Sequence, residues 1–308
     1  CKYDLLYNSS YNPEHEIVVT AGATEAIFSA ITAFIRPGDE VIVFRPAYDC
    51  YIPSVELNGG SVTSIQMQSP TYKVDWKEVK QKISLKTKMI IINTPHNPSG
   101  MVFSKEDMLE LQALTKGTNI IVLSDEVYEH IIFDEEQHQS VCLFPDLKSR
   151  SFITASFGKT FHNTGWKTGY CCAPKELMDE FVKVHQFNVF SVNHPIQIAL
   201  AEYLNSPNHY LDLSNFFQQK RDLFLNLIKE SRFNFTPSKG TYFQALNYSN
   251  ISNENDFDLA IRLTKDHGIA SIPISVFNAN KLDNKVLRFC FAKTDDTLKR
   301  AAEILNKI

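Results

Sequence analysis

No run in this 308-residue sequence approaches the roughly 18 apolar residues that a membrane-spanning helix needs, and no signal-peptide pattern is visible. A basic excess is also missing. The 31 Lys and Arg against 35 Asp and Glu leave a net charge of −4, which offers nucleic acid or an anionic membrane surface no electrostatic footprint. The six cysteines have no framework spacing, and Cys171 and Cys172 are adjacent rather than arranged as C-x-x-C. That pattern predicts reduced thiols in a cytoplasmic protein, not a disulfide scaffold. There is no internal repeat, no low-complexity tract, and no Walker or dinucleotide fingerprint.

What is present fits a soluble globular protein with more than one core: 44% hydrophobic and 21% charged residues over a length that suggests two domains. Short β-branched or apolar runs at 17–20, 40–44, 61–67, 88–92, 119–123 and 151–155 read as strands. Between and after them lie helix-periodic segments: one carrying Ile27, Ala30, Ile31 and Phe34, then 76–83, 105–116 (apolar at Met108, Leu109, Leu111 and Leu114), 177–186 and 196–204. This alternation predicts an α/β fold with a mostly parallel sheet covered by helices on both faces. A long helix over 210–231 bridges to a different pattern. Strands at 233–237, 241–246, 269–274 and 286–292 mix with helices at 256–266 and 297–306, which predicts a smaller α+β lobe.

The chemistry-bearing residues fall at the strand ends, where parallel sheets bind ligands. The organising stretch is 156–170, SFGKTFHNTGWKTGY, where Lys159 and Lys167 sit in a Gly- and Ser-rich turn after an apolar strand. Both lysines are either surface charges or, for one held out of water, an amine nucleophile. Gly22, Ala23 and Thr24 join a strand to a helix start, which is either an anion site built from free N–H groups or a helix capped by Thr24. Tyr48 either stacks on a planar ring or covers the core. Asn97, between two X-Pro pairs, sits in a rigid turn that either aims its amide or only connects elements. Asp125, Glu126 and Glu129 crowd one strand end. They suit a metal or cation partner, with His130 and His138 as ligands of no recognised spacing, or a lone carboxylate facing a protonated ring nitrogen. Arg288 lies in an apolar strand, where it either pairs with an acid such as Asp283 or Asp295 or reads a ligand carboxylate.

These motifs occur in a fixed order along essentially the whole chain: GATEA, PAYDCY, NTPHNPSG, SDEVYEH, SFGKTFHNTGWKTGY and LRFCFAK. Together they resemble the class I and II aminotransferases of the aspartate-aminotransferase-like fold, within them the kynurenine and methionine aminotransferase branch. The resemblance implies a pyridoxal 5′-phosphate (PLP) cofactor and a mostly parallel, seven-stranded-type sheet. It implies a large domain over 1–209 and a small C-terminal domain over 210–308. An N-terminal arm and a further part of the small domain are expected ahead of Cys1.

Carried over residue by residue, the resemblance makes Lys159 the Schiff-base lysine and proton carrier. Asp125 becomes the partner of the ring nitrogen, and Tyr128 and Asn97 the partners of the ring hydroxyl. Tyr48 stacks on the ring. Gly22, Ala23, Thr24, Ser156 and Lys167 form the phosphate cup, with lysine at 167 where many relatives have arginine. Arg288, beside Asn97, grips the substrate carboxylate, and no metal is called for. Tyr48, Tyr51, Phe190 and Phe277 suggest an apolar side-chain pocket. The implied reaction moves an amino group from an L-amino acid, methionine or aromatic, to a 2-oxo acid in a homodimer. A carbon–sulfur β-lyase and a non-catalytic PLP-binding module remain as alternatives.

Overall fold

A strand that is apolar on both pleats needs cover on both sides. The computed structural model, which describes residues 2–308, places such strands at the centre of one sheet. In chain order the strands are β1 (Ile17–Thr20), β2 (Glu40–Arg45), β3 (Ser61–Gln66), β4 (Thr87–Asn93), β5 (Ile121–Asp125), β6 (Ser151–Ser156), β7 (Gly169–Cys172), β8 (Phe243–Asn247), β9 (Ile272–Pro273) and β10 (Val286–Cys290). The first seven form one sheet in the order β1-β7-β6-β5-β4-β2-β3. Strands β2 to β6 pair in parallel, and β7 runs antiparallel to both its neighbours, β6 and β1. The last three form an antiparallel sheet in the order β8-β10-β9.

Alternation along β4 divides its residues between two cores. Ile90 and Ile92 pack on one face with Ile42, Val122 and Phe103, while Met89 and Ile91 pack on the other with Leu123, Phe152 and Ile27 of the helix Ala23–Phe34. Each such side chain contributes about 1.5–3 kcal/mol by leaving water. A third core, with Phe217, Leu246, Leu263, Leu287 and Phe289, lies under the small sheet. The parallel topology brings the C-terminal ends of β2, β4, β5 and β6 to one edge of the large sheet, and the small sheet closes over that edge.

Several expectations need correction. The helix expected over 210–231 is two, Asn208–Leu211 and Leu213–Ile228, separated at Asp212. The strand expected at 233–237 reduces to a bridge between Asn234 and Asn247. The strand at 269–274 shrinks to Ile272–Pro273, where proline removes a ladder donor. Leu109, expected on the apolar face of its helix, is exposed. Gly169 and Tyr170, the end of the stretch read as a Gly- and Ser-rich turn, begin the antiparallel strand β7. The helices Lys2–Tyr7 and Tyr51–Leu57 were not expected. Cys1 lies outside the described residues, and the other five cysteines are free.

Candidate active site

Strand β6 runs directly into a one-turn helix, Phe157–Thr160, whose N-terminus is capped by Ser156 accepting from the Lys159 N–H at 3.3 Å. The loop after it folds back so tightly that a Cβ on Gly158 would lie 3.0 Å from Thr164 Cα. Glycine at this position lets the loop approach and brings Lys159 and Lys167 to the lining of one cavity of about 280 Å³. Gly22, Ala23, Thr24, Tyr48, Asn97, Asp125, Tyr128, Ser156, Lys159, Lys167 and Arg288, the residues given cofactor, catalytic or carboxylate roles, all line this cavity, and so do Asn93, Val127, Thr168 and Phe243.

At one end, the helix Ala23–Phe34 begins at Gly22, which has φ 81° and supplies no side-chain cap. The Ala23 and Thr24 N–H groups therefore have no carbonyl a turn earlier to bond, and they sit at the positive end of the helix dipole. Thr24 is the second residue of the helix, not its cap. A Cβ on Gly22 would stand 3.5 Å from Lys167 Nζ, so that ammonium lies over the same helix start. Ser156 and the Tyr48 hydroxyl, 3.4 Å from Thr24 Oγ1, complete this end.

In the middle, Asp125 at the end of β5 is buried. Tyr51 donates to its Oδ2 at 2.5 Å, and the Val127 N–H reaches Oδ1 at 3.3 Å. Burial dominates all the same and pushes the carboxyl up to about 6. Lys159 Nζ donates to the Tyr242 hydroxyl at 2.9 Å and lies 5.8 Å from the ring centroid of Tyr128. Burial also raises the Tyr128 phenol.

At the other end, β10 delivers Arg288. Its guanidinium stacks 4.0 Å over the Phe243 ring and 5.3 Å from that of Phe277, and donates to Asn97 Oδ1 at 2.5 Å. Asn97 is held in turn by its N–H on Asn93 Oδ1 at 2.7 Å. The acids that sequence offered as structural partners are elsewhere. Asp283 pairs with Lys285 at 3.0 Å and Asp295 with Lys220 at 2.5 Å. Among the described residues no carboxylate forms an ion pair with Arg288.

The crowded acids of 125–129 diverge. Glu126 accepts from Ser124 at 2.8 Å and meets His138 Nε2 at 2.8 Å, away from the cavity. Glu129 meets the Lys2 ammonium and the Tyr7 hydroxyl, the latter at 2.9 Å. Burial would raise Glu129, but Lys2 with His130 and His138 outweighs it and holds the carboxyl down at about 2. Burial pushes His130 down to about 3. No group of three or more potential ligands that could hold a metal occurs among the described residues.

Two of the aromatics expected in a side-chain pocket lie elsewhere. Tyr51 is buried behind Asp125, and Phe190 is exposed and off the cavity. Sequence reasoning missed the roles of Tyr242, Phe243 and Asn93 in lining or bonding, and the Tyr51–Asp125 contact. Asn93 and Tyr51 stand inside the quoted motifs, which was the available signal. Tyr242 had none, because its partner lies far away in the chain.

A family model for aminotransferase class I and II matches residues 4–305. The chain is 47% identical to a methionine aminotransferase of Escherichia coli over 308 residues, covering 100% of this chain and 80% of the relative. It is 33% identical to a kynurenine–oxoglutarate transaminase of Dictyostelium discoideum, covering 99% and 79%. Among solved structures, an E. coli protein identified as a methionine aminotransferase superposes with TM-score 0.98 over 100% of this chain and 82% of its own, at 47% identity. The N-succinyldiaminopimelate aminotransferase of Mycobacterium tuberculosis does so with TM-score 0.95 at 31% identity, over 99% and 81%.

Proposed function

This chain belongs to the class I and II aminotransferases, and from that premise we propose that it is a PLP-dependent transaminase for uncharged amino acids of the methionine or aromatic kind. The observation that carries the reading is the cavity itself. One lysine amine stands between a buried carboxylate without a cation of its own and a guanidinium without a carboxylate.

The donor set fits the cofactor. The uncapped start of the helix Ala23–Phe34, with Lys167 over it, suits a phosphate dianion. Asp125, raised to about 6 while it lacks a cation, suits a protonated ring nitrogen. Tyr48 suits the ring face, and Tyr128 and Asn97 the ring hydroxyl. Gly22, Ala23, Thr24 and Ser156 would hold the phosphate with Lys167. Lysine at 167 keeps the charge but not the bidentate fork of an arginine. When bound, PLP supplies an electron sink for the pair left behind at Cα.

The chain's own residues do the rest. Lys159 would hold the cofactor through its carbonyl carbon, and its amine, lining the same cavity, would be in place to move the Cα proton of the amino acid, so no further base would have to be recruited. Asp125 keeps a negative charge facing the ring nitrogen. Arg288 takes the α-carboxylate in a planar, charge-assisted pair, steadied by Asn97 and by the face of Phe243. The cavity's cations among the described residues are Lys159, Lys167 and Arg288. All three then have partners, and none is left for an acidic side chain. Tyr48, Phe243 and Phe277 offer an uncharged substrate side chain an apolar wall.

The same reading takes residues 1–209 as the cofactor-binding domain and 210–308 as the small domain. It pairs two copies of the chain through exposed apolar surface such as Phe187 and Phe190. No helix among the described residues is long and apolar enough to cross a membrane; a cytoplasmic location is supported by the free thiols.

The experiment is a panel of amino acids and 2-oxo acids with PLP-loaded protein. Methionine and aromatic donors should shift the cofactor absorbance and yield the new amino acid, while aspartate and glutamate should serve poorly as donors. Ammonia and pyruvate from a cysteine conjugate without any 2-oxo acid would instead indicate a β-lyase.

A further inference from the structure

Transamination leaves the lysine amine unattached for part of each cycle. A free ammonium on a four-carbon stem is flexible and strongly hydrated, and it tends to swing toward water. Something must keep it over the reacting carbon. Among the described residues, the Tyr242 hydroxyl is the hydrogen-bond partner of Lys159 Nζ, at 2.9 Å.

Tyr242 is itself fixed. Its ring packs edge-on against Tyr128 at 5.3 Å and Phe243 at 4.7 Å, with Phe217 at 5.8 Å. Its carbonyl accepts from the Phe291 N–H at 3.0 Å, and the preceding Thr241 N–H donates to the Ile131 carbonyl at 2.9 Å. The phenol is therefore pinned to the strand end after β10 and to the segment that follows Asp125. It reaches from the small sheet across to a lysine carried by the large one.

We infer that Tyr242 is a positioning residue whose hydroxyl holds the Lys159 amine over the cavity whenever that amine is not covalently engaged. The inference rests on the reading of Lys159 as the carbonyl-capturing amine. A phenol suits the task for a definite reason. Its oxygen accepts from an ammonium, and its O–H donates to a neutral amine, so Lys159 keeps one anchor in both protonation states. A carboxylate at this place would favour the ammonium and hold the proton that the amine has to give up.

The test is Tyr242→Phe in the whole chain, which keeps the ring and its packing and removes only the oxygen. In cofactor-free protein, Lys159 is treated with a small acylating reagent, and its labelling is followed by peptide mapping against exposed Lys105. Wild-type Lys159 should react more slowly than Lys105, and the substitution should speed its labelling on the order of tenfold, since an anchored amine has lost its partner. In the PLP-loaded enzyme kcat should fall about tenfold with KM for the amino acid within about twofold, because substrate binding does not pass through Tyr242. A wild-type Lys159 that labels as fast as Lys105, or a variant with unchanged labelling and unchanged kcat, overturns the assignment. Borohydride reduction of loaded protein tells this failure from that of the underlying reading. A label on Lys159 with no effect of Tyr242→Phe overturns the role of Tyr242 alone, whereas a label on another lysine overturns both.

Discussion

Asp125 and Glu129 lie on one short segment, both buried, and their surroundings treat them in opposite ways. Glu129 is saturated, with the Lys2 ammonium and the Tyr7 hydroxyl on its oxygens, and its carboxyl is held down at about 2. Asp125 has a tyrosine and one backbone N–H but no cation in contact, and its carboxyl is pushed up to about 6. The arginines repeat the contrast. Buried Arg221 is forked onto Asp134 at 2.6 and 2.7 Å and also meets Asp222, whereas Arg288 pairs with no acid among the described residues. A buried charge that the fold has already matched holds elements together; one left unmatched beside a cavity is free to meet a ligand of opposite charge.

Breaking this comparison begins with the amine between the two unmatched charges. Lys159→Ala should abolish transamination and remove the cofactor's Schiff-base absorbance while the fold persists; near-native turnover would remove Lys159 from the site. Next comes Asp125→Asn, which keeps shape and deletes the charge. Turnover should fall by a factor of about 10² to 10³ or more, the size expected when a preorganised charge partner is lost at a reacting centre. A loss under about tenfold, worth ~1.4 kcal/mol, is too small for that role.

Glu129→Gln should behave the other way round. It strands the Lys2 ammonium and should lower unfolding stability by about 3 kcal/mol in denaturant titrations, with kcat/KM little changed. Arg288→Lys loses the planar fork, so kcat/KM should drop ~10- to 150-fold for every α-amino acid alike. Amines lacking the carboxylate should lose little. Equal losses in both classes would make Arg288 structural.

The smallest effects are in pH dependence, and their signs are opposed. Asp125 is raised from 3.8 to about 6, so its contribution to cofactor-free stability is fully present below its unfolded value and is lost as pH rises through the folded one. Glu129 is lowered from 4.5 to about 2, so its contribution is present above the unfolded value and is lost as pH falls through the folded one. Each term is worth about 3 kcal/mol at most. Stability of Asp125→Asn and Glu129→Gln relative to wild type, followed from pH 3 to 7 (about the accessible range), should therefore diverge in opposite directions.

Much of this was legible in the sequence because strand ends in a parallel sheet are local features. The apolar run of β4 and the acid at the end of β5 mark their own places, and so do the lysine after β6 and the uncapped small residues after β1. What was not legible depended on distant pairing. Lys159 meets Tyr242 across 83 positions of sequence, and Tyr51 meets Asp125 across 74. The same limit explains the contrast between Asp125 and Glu129. As sequence, both were acids in one crowd, and only the arrival of Lys2 and Tyr7 from the N-terminal helix assigns Glu129 to structure. In the small lobe, periodicity overstated the strands because Pro273 breaks the ladder, and it ran two helices together across Asp212.

The most direct test of the central claim is the titration of the two carboxyls themselves, by carbon-detected NMR of labelled protein with and without PLP. Asp125 should titrate at about 6 without cofactor and fall below about 4 once a ring cation faces it, while Glu129 stays low throughout. An Asp125 that titrates low without cofactor, or that does not move when PLP is added, would contradict the account.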